Sequence, residues 1–217
     1  MVNKQVLAIM GNITFISTIH KEIGKCNAEE LFKIIEKLNP EVIFLEAIEE
    51  TYSEYENYLF STYGVFHEKL EISAIQRYNY TTSFEYVPVC ENGLSDAFHK
   101  KIKLVCQNRG LQKLIDNFNY LAALKGFDFL NSLECIILQE EMRALESHIL
   151  NDRELDESVK EDIENYEKPM IHNIYSYCRK SHFESAIFLC GAAHRKSIIE
   201  KIESNKKEHT NPSWTFL

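Results

Sequence analysis

The sequence predicts an α/β fold: a mixed, largely parallel central sheet with flanking helices and a large helical insertion. Three observations predict it. Residues 13–17 are an apolar run, followed by an amphipathic segment and a second apolar run at 42–45. At that length the unit is a βαβ crossover, so its two strands are parallel. Residues 186–190 form another fully apolar short run that feeds a segment marked by Ile198, Ile199 and Ile202. That is the pattern of a central strand followed by a helix. Between them the spacing is mostly helical, so residues 1–217 read as one domain with a helical insertion at about 48–181.

Taken in order, residues 6–10 and 13–17 read as strands joined by Gly11-Asn12, a two-residue hairpin turn. Asn27 opens the first helix, with Glu30 three residues on in the reciprocal capping pattern. Leu31, Ile34, Ile35 and Leu38 form its apolar stripe, and Asn39-Pro40 ends it. The strand at 42–45 closes on Glu46, as a parallel neighbour of the first. Residues 48–75 read as helical and tyrosine-rich, with Tyr52, Tyr55, Tyr58 and Tyr63. Residues 84–89 are strand-like, and Pro88 assigns them to an edge or a strand end.

Residues 94–181 are helical in pattern, with stripes that include Leu133, Ile136, Ile137, Met142, Leu145 and Ile149. The strongly acidic stretch at 151–168 reads as a solvated helical face or a mobile segment. Ile171, Ile174, Tyr175 and Cys178 share one face of its continuation. Gly191-Ala192-Ala193-His194 turns the chain into the last helix, where glycine permits a tight turn. Residues 214–217 add a last strand.

Apolar content of 45% and charged content of 26% are those of a soluble globular protein. The net charge of -9 speaks against nucleic acid and anionic membranes as partners, because both recruit basic patches. Residues 1–10 carry no basic segment leading into a long apolar run, and no stretch approaches the roughly 20 apolar residues of a spanning helix. The six cysteines are scattered without a C-x-x-C. Reduced, structural thiols in a cytoplasmic protein are the expectation.

The chemistry-bearing residues sit at the strand ends. His20 lies just after the first strand, Glu46 ends the second, and His194 follows the 186–190 run. Ligands of open parallel sheets bind beyond the carboxyl ends of the strands, so these three side chains should converge, within about 10 Å if they share one ion. Two imidazoles and a carboxylate suit a divalent metal with a position left for water. The same groups also suit metal-free work, one histidine as general base with the glutamate orienting it. A single histidine at a strand end is usually an ordinary polar side chain; the set of three is what carries the expectation. Glu22, Glu91, Arg143 and Arg195 are accessory candidates, the arginines as anion stabilisers. His67-Glu68-Lys69-Leu70-Glu71 begins like a zinc-protease helix, but Glu71 stands where the second histidine is needed.

At Ser17-Thr18-Ile19-His20, at Glu46 and at Gly191-Ala192-Ala193-His194-Arg195 the chain resembles the TraB/Tiki superfamily, with its ChaN-like and erythromycin-esterase-like branches. The shared features are two G-x-x-H motifs near the domain ends and an acidic residue closing an early strand. Ser17 departs from the family's glycine. The family's next acidic strand-end residue corresponds to Glu91. The resemblance implies a divalent-metal-dependent hydrolase (manganese, cobalt or zinc) that cleaves a peptide or ester bond of a small-molecule or peptide substrate. It also implies alternatives of a different class: a non-catalytic module binding haem or another small ligand, or an interaction protein with a relict site.

Overall fold

A computed structural model describes residues 11–48, 68–93, 95–205 and 212–217. In chain order it contains β1 (Asn12–Thr18), α1 (Ala28–Leu38), β2 (Val42–Ile48), α2 (Leu70–Asn79), β3 (Glu85–Cys90), α3 (Asp96–Val105), α4 (Arg109–Lys125) and α5 (Phe127–Leu130). Then follow α6 (Leu133–Leu150), α7 (Arg153–Cys178), β4 (Ser185–Gly191), a 3-10 turn (Ala192–His194), α8 (Arg195–Ser204) and β5 (Ser213–Phe216). The expected α/β class holds.

The five strands form one sheet in the order β3-β2-β4-β1-β5. Every pairing in it is parallel, so the described sheet is fully parallel rather than mixed. β1 and β2 are parallel as expected, but they are not neighbours. β4 lies between them, because its run of Ala186, Ile187, Phe188 and Leu189 is buried on both faces and needs partners on both edges.

The Gly11-Asn12 hairpin is also corrected. Asn12 is already a strand residue, and from Asn12 to Phe15 both edges of β1 are taken, by β4 and by β5. Gly11 has a different reason to be glycine: a Cβ there would lie 2.4 Å from the Phe183 ring and from its carbonyl oxygen. Residues 6–10 lie outside the described residues, as do Tyr52, Tyr55, Tyr58, Tyr63 and His67.

Side chains alternate between two cores. Ile16, Ile43, Leu45, Ile187 and Leu189 pack with α1, α2, α4, α5 and α6 on one face. Ile13, Phe15, Val42, Phe44, Phe188 and Cys190 pack with α7 and α8 on the other. β3 lies at the sheet edge, where Pro88 costs no central ladder bond. β5 caps the opposite edge. The segment between β2 and β4 therefore contributes an edge strand as well as helices.

The Asn27 side chain caps α1 by accepting the Glu30 N–H at 2.9 Å. The reciprocal half of the expected box is not made, since Glu30 bonds Lys33 instead, at 2.8 Å. Asn39 ends α1 in the left-handed region, with φ of 46° and its N–H on the Ile35 carbonyl. Among the described residues no helix is long and apolar enough to cross a membrane.

Candidate functional site

The connections leaving β1 and β4 set the site's position. β1 leads to α1 on one face of the sheet, and β4 leads to α8 on the other. Adjacent parallel strands whose connections part to opposite faces open a crevice at their carboxyl ends. The register aligns Thr18 with Gly191 across β1 and β4, and Leu45 with Leu189 across β2 and β4. His20, Glu46 and His194 therefore leave three adjacent strands at nearly one level.

Glu46 is the most constrained of the three. Its Oε2 accepts the Gly191 N–H at 2.6 Å, and its Oε1 accepts the Tyr166 hydroxyl at 2.9 Å. Burial pushes its carboxyl up, but the His194 imidazole and the Gly191 N–H outweigh burial and hold it below the usual range. Tyr166 is pushed far upward by burial and by Glu46, so its hydroxyl stays a donor.

Gly191 has φ -56° and ψ 138°, a conformation open to any residue, so backbone freedom does not explain the glycine. Space does. A Cβ there would sit 3.3 Å from Glu46 Oε2.

His194 Nε2 faces Glu46 Oε1 at 3.6 Å, too far for a hydrogen bond. Its other nitrogen, Nδ1, is 2.7 Å from Glu167 Oε1 on α7. Glu167 is fully buried, and its second oxygen takes the Ser197 hydroxyl and Lys201 Nζ. Burial pushes its carboxyl up; His194, Ser197 and Lys201 pull it below the usual range. The Tyr166 ring lies against the His194 ring with centroids 5.5 Å apart.

His20 repeats the arrangement. Its Nδ1 is 3.0 Å from Glu71 Oε1 on α2, which also accepts the Thr18 hydroxyl at 2.7 Å. Glu71 is buried, and its Oε2 has no hydrogen-bond partner among the described residues. The bond to Glu71 raises the His20 pKa above 6.5, burial opposes it, and Glu46 adds to the rise. The His20 side chain is 54% exposed and lines a small recess with Glu46, Glu71, Leu45 and Ala47.

Glu46 and His194 thus meet directly, and His20 shares the recess with Glu46. The accessory candidates fall elsewhere. Glu22 accepts the Ala28 N–H at 2.8 Å and caps α1. Glu91 is in the exposed turn after β3. Arg143 bonds Glu140 and the Ala193 carbonyl, tethering the turn that carries His194. Arg195 is buried; its guanidinium bonds Ser17, Asn131 and the Leu217 carbonyl, and it lies over the Phe15 ring. It holds β1, α8 and the C-terminal residue together and is committed to the fold.

Glu71, Tyr166 and Glu167 were not singled out from the sequence. A signal for the two carboxylates exists. Glu167 continues the buried stripe of Met170, Ile171 and Ile174, and Glu71 that of Ala74, Ile75 and Tyr78. A glutamate in register with a buried apolar stripe needs a partner.

Chemically, the site offers a fixed carboxylate flanked by two imidazoles, each tied at Nδ1 to a buried glutamate. Such ties orient histidines that bind metal or move protons. Among the described residues, no group of three His, Cys, Asp or Glu side chains is preassembled to hold a metal ion.

No family model and no curated protein matches the chain. A solved structure of a Bacillus cereus protein is similar at a TM-score of 0.35 and 12% identity, with 91% of this chain and 64% of that chain covered. The chain therefore spans less than two thirds of that protein's length.

Proposed function

We propose that the protein is a hydrolase of peptide or ester bonds, working at His20, Glu46 and His194. The observation that carries the reading is the paired carboxylate–histidine arrangement: Glu167 on His194 and Glu71 on His20, on either side of Glu46. A histidine whose Nδ1 is held by a carboxylate presents Nε2 in a fixed direction and tautomer. His194 Nε2 is then placed to take a proton from an attacking water. Glu46, kept anionic by the Gly191 N–H and the Tyr166 hydroxyl, steadies the imidazolium that results. His20, held at Nδ1 by Glu71, is the donor to the oxyanion of the tetrahedral intermediate.

The donor chemistry also fits a divalent cation, in keeping with the TraB/Tiki resemblance. Both imidazoles carry the carboxylate partner typical of metal-ligating histidines. Glu71, whose Oε2 has no hydrogen-bond partner among the described residues, lines the same recess as His20 and Glu46. His20, Glu46 and His194 would hold the ion, and manganese, cobalt or zinc would supply Lewis acidity when bound.

The test is turnover of nitrophenyl esters and fluorogenic peptides by the purified protein, with chelator and with each metal added. The Glu46→Gln variant is run alongside. Turnover that falls at least 100-fold in the variant supports the reading. Turnover that is unchanged by it, or no turnover under any condition, removes it.

A further inference from the structure

We propose that the cavity between α3, α6 and α7 is the subsite for a compact, uncharged apolar group of the substrate, of about the size of a benzene ring. The inference rests on the hydrolase reading, since His194 and Ala193 form one wall of the cavity. Its remaining walls include Phe98, Ile102, Met142, Val159 and Ile163. The volume of about 190 Å³ sets the size. An apolar cavity of about 150 Å³ stays dry and takes up benzene, so this volume is enough for an aromatic ring or a branched alkyl group.

Charge sets the polarity. Three cations line the cavity, and each is already paired. Lys101 Nζ is 2.6 Å from Glu146, Arg143 Nη1 is 2.9 Å from Glu140, and Lys160 Nζ is 2.6 Å from Asp156. The Lys101–Glu146 pair is itself largely buried. Among the described residues, the lining offers no uncommitted ammonium or guanidinium to an anionic group and no uncommitted carboxylate to a cationic one. What the cavity offers a neutral ligand is mainly its apolar wall, with Gln139 and the His194 side chain beside it. Because Arg143 also holds the Ala193 carbonyl, the wall that carries His194 is fixed relative to α6.

The experiment uses benzyl alcohol, which is uncharged and has no scissile bond, with benzoate and benzylammonium as charged counterparts. Binding to the full chain is followed by chemical-shift titration. The expected result is saturable binding of benzyl alcohol, at least ten-fold tighter than either ion, with shifts at Val159 and His194. Val159→Phe fills the cavity and should weaken binding at least ten-fold. Ile102→Trp enlarges a lining side chain at a position that is 39% exposed, so it does not burden the core and should weaken binding similarly. If Val159→Phe fails to fold, Ile102→Trp decides.

Equal binding of the three probes, or binding that neither variant changes, overturns the subsite. The two readings fail separately. Ester or peptide turnover without selective probe binding leaves the hydrolase and removes the subsite. Selective binding without turnover keeps the cavity as an apolar ligand site and removes the reaction.

Discussion

Glu167 is the residue whose removal the structure prices most directly. Its carboxylate is fully buried and serves His194 Nδ1 at 2.7 Å, Lys201 Nζ at 2.9 Å and the Ser197 hydroxyl. Glu167→Ala leaves all three facing a void. Deleting one partner of a buried pair costs about 3–5 kcal/mol. Lys201 keeps a second carboxylate, Glu164 at 2.6 Å, which moves the expectation to the lower end, about 3 kcal/mol. For a chain of this length that is a fall in melting temperature of about 6–12 °C. Glu167→Gln keeps the volume but not the charge and should cost about 1–2 kcal/mol, the difference between a charge-assisted and a neutral hydrogen bond. Glu164→Ala is the control. Its carboxylate is about half exposed, so its loss should cost under about 1 kcal/mol. Urea denaturation and calorimetry of the four proteins measure the series. If Glu167→Ala is no more destabilising than Glu164→Ala, the buried network does not exist as described.

Other outcomes follow from the same geometry. Gly191→Ala should keep the fold and change stability by under about 1 kcal/mol, since φ -56° suits alanine, yet lower turnover, because the new Cβ would crowd Glu46 Oε2 at 3.3 Å and push it off the Gly191 N–H; melting and initial rates check both halves. Acid should destabilise the protein through Glu46 and Glu167, whose folded pKa values lie below the ordinary 4.5. Their contribution is full above 4.5 and is lost as pH falls through the folded values, so urea midpoints should drop below pH 4.5 and Glu167→Gln should flatten that drop. Only Cys106 should react quickly with a thiol reagent at neutral pH. It is exposed, whereas burial pushes Cys26, Cys90, Cys135 and Cys178 up to about 12 and Cys190 well above 9.0; a second fast thiol in the native protein would contradict this packing.

Much of the fold was legible in the sequence because burial on both faces writes itself as continuous apolar runs. The α1 stripe, the Asn27 cap, the Asn39-Pro40 stop and the edge position forced by Pro88 all follow from local rules. Strand order did not follow. Nothing local distinguishes β4 beside β1 from β2 beside β1, because order is set by which strand can bury two edges. Gly11-Asn12 misled for a related reason. Turn chemistry was read where a side-chain clash with Phe183 was the cause.

The site was legible as strand-end residues, since strand ends can be read from sequence. Its supporting carboxylates were not, because Glu167 sits in a stretch whose net acidity suggested a solvated surface. The helix carrying it has one buried face, and one glutamate of that stretch falls on it. Arg195 shows the converse. It stands beside His194 in sequence, but its side chain bonds Ser17 and Asn131.

The central claim, that His194 moves the proton in hydrolysis, is tested most directly by initial rates of His194→Ala against the parent and against His172→Ala. His172 is exposed on α7 and serves as the control. The account predicts at least a 100-fold loss of turnover in His194→Ala, the scale of general acid–base catalysis. Near-ultraviolet circular dichroism should stay native and His172→Ala should keep its rate. Full activity in His194→Ala would contradict the account.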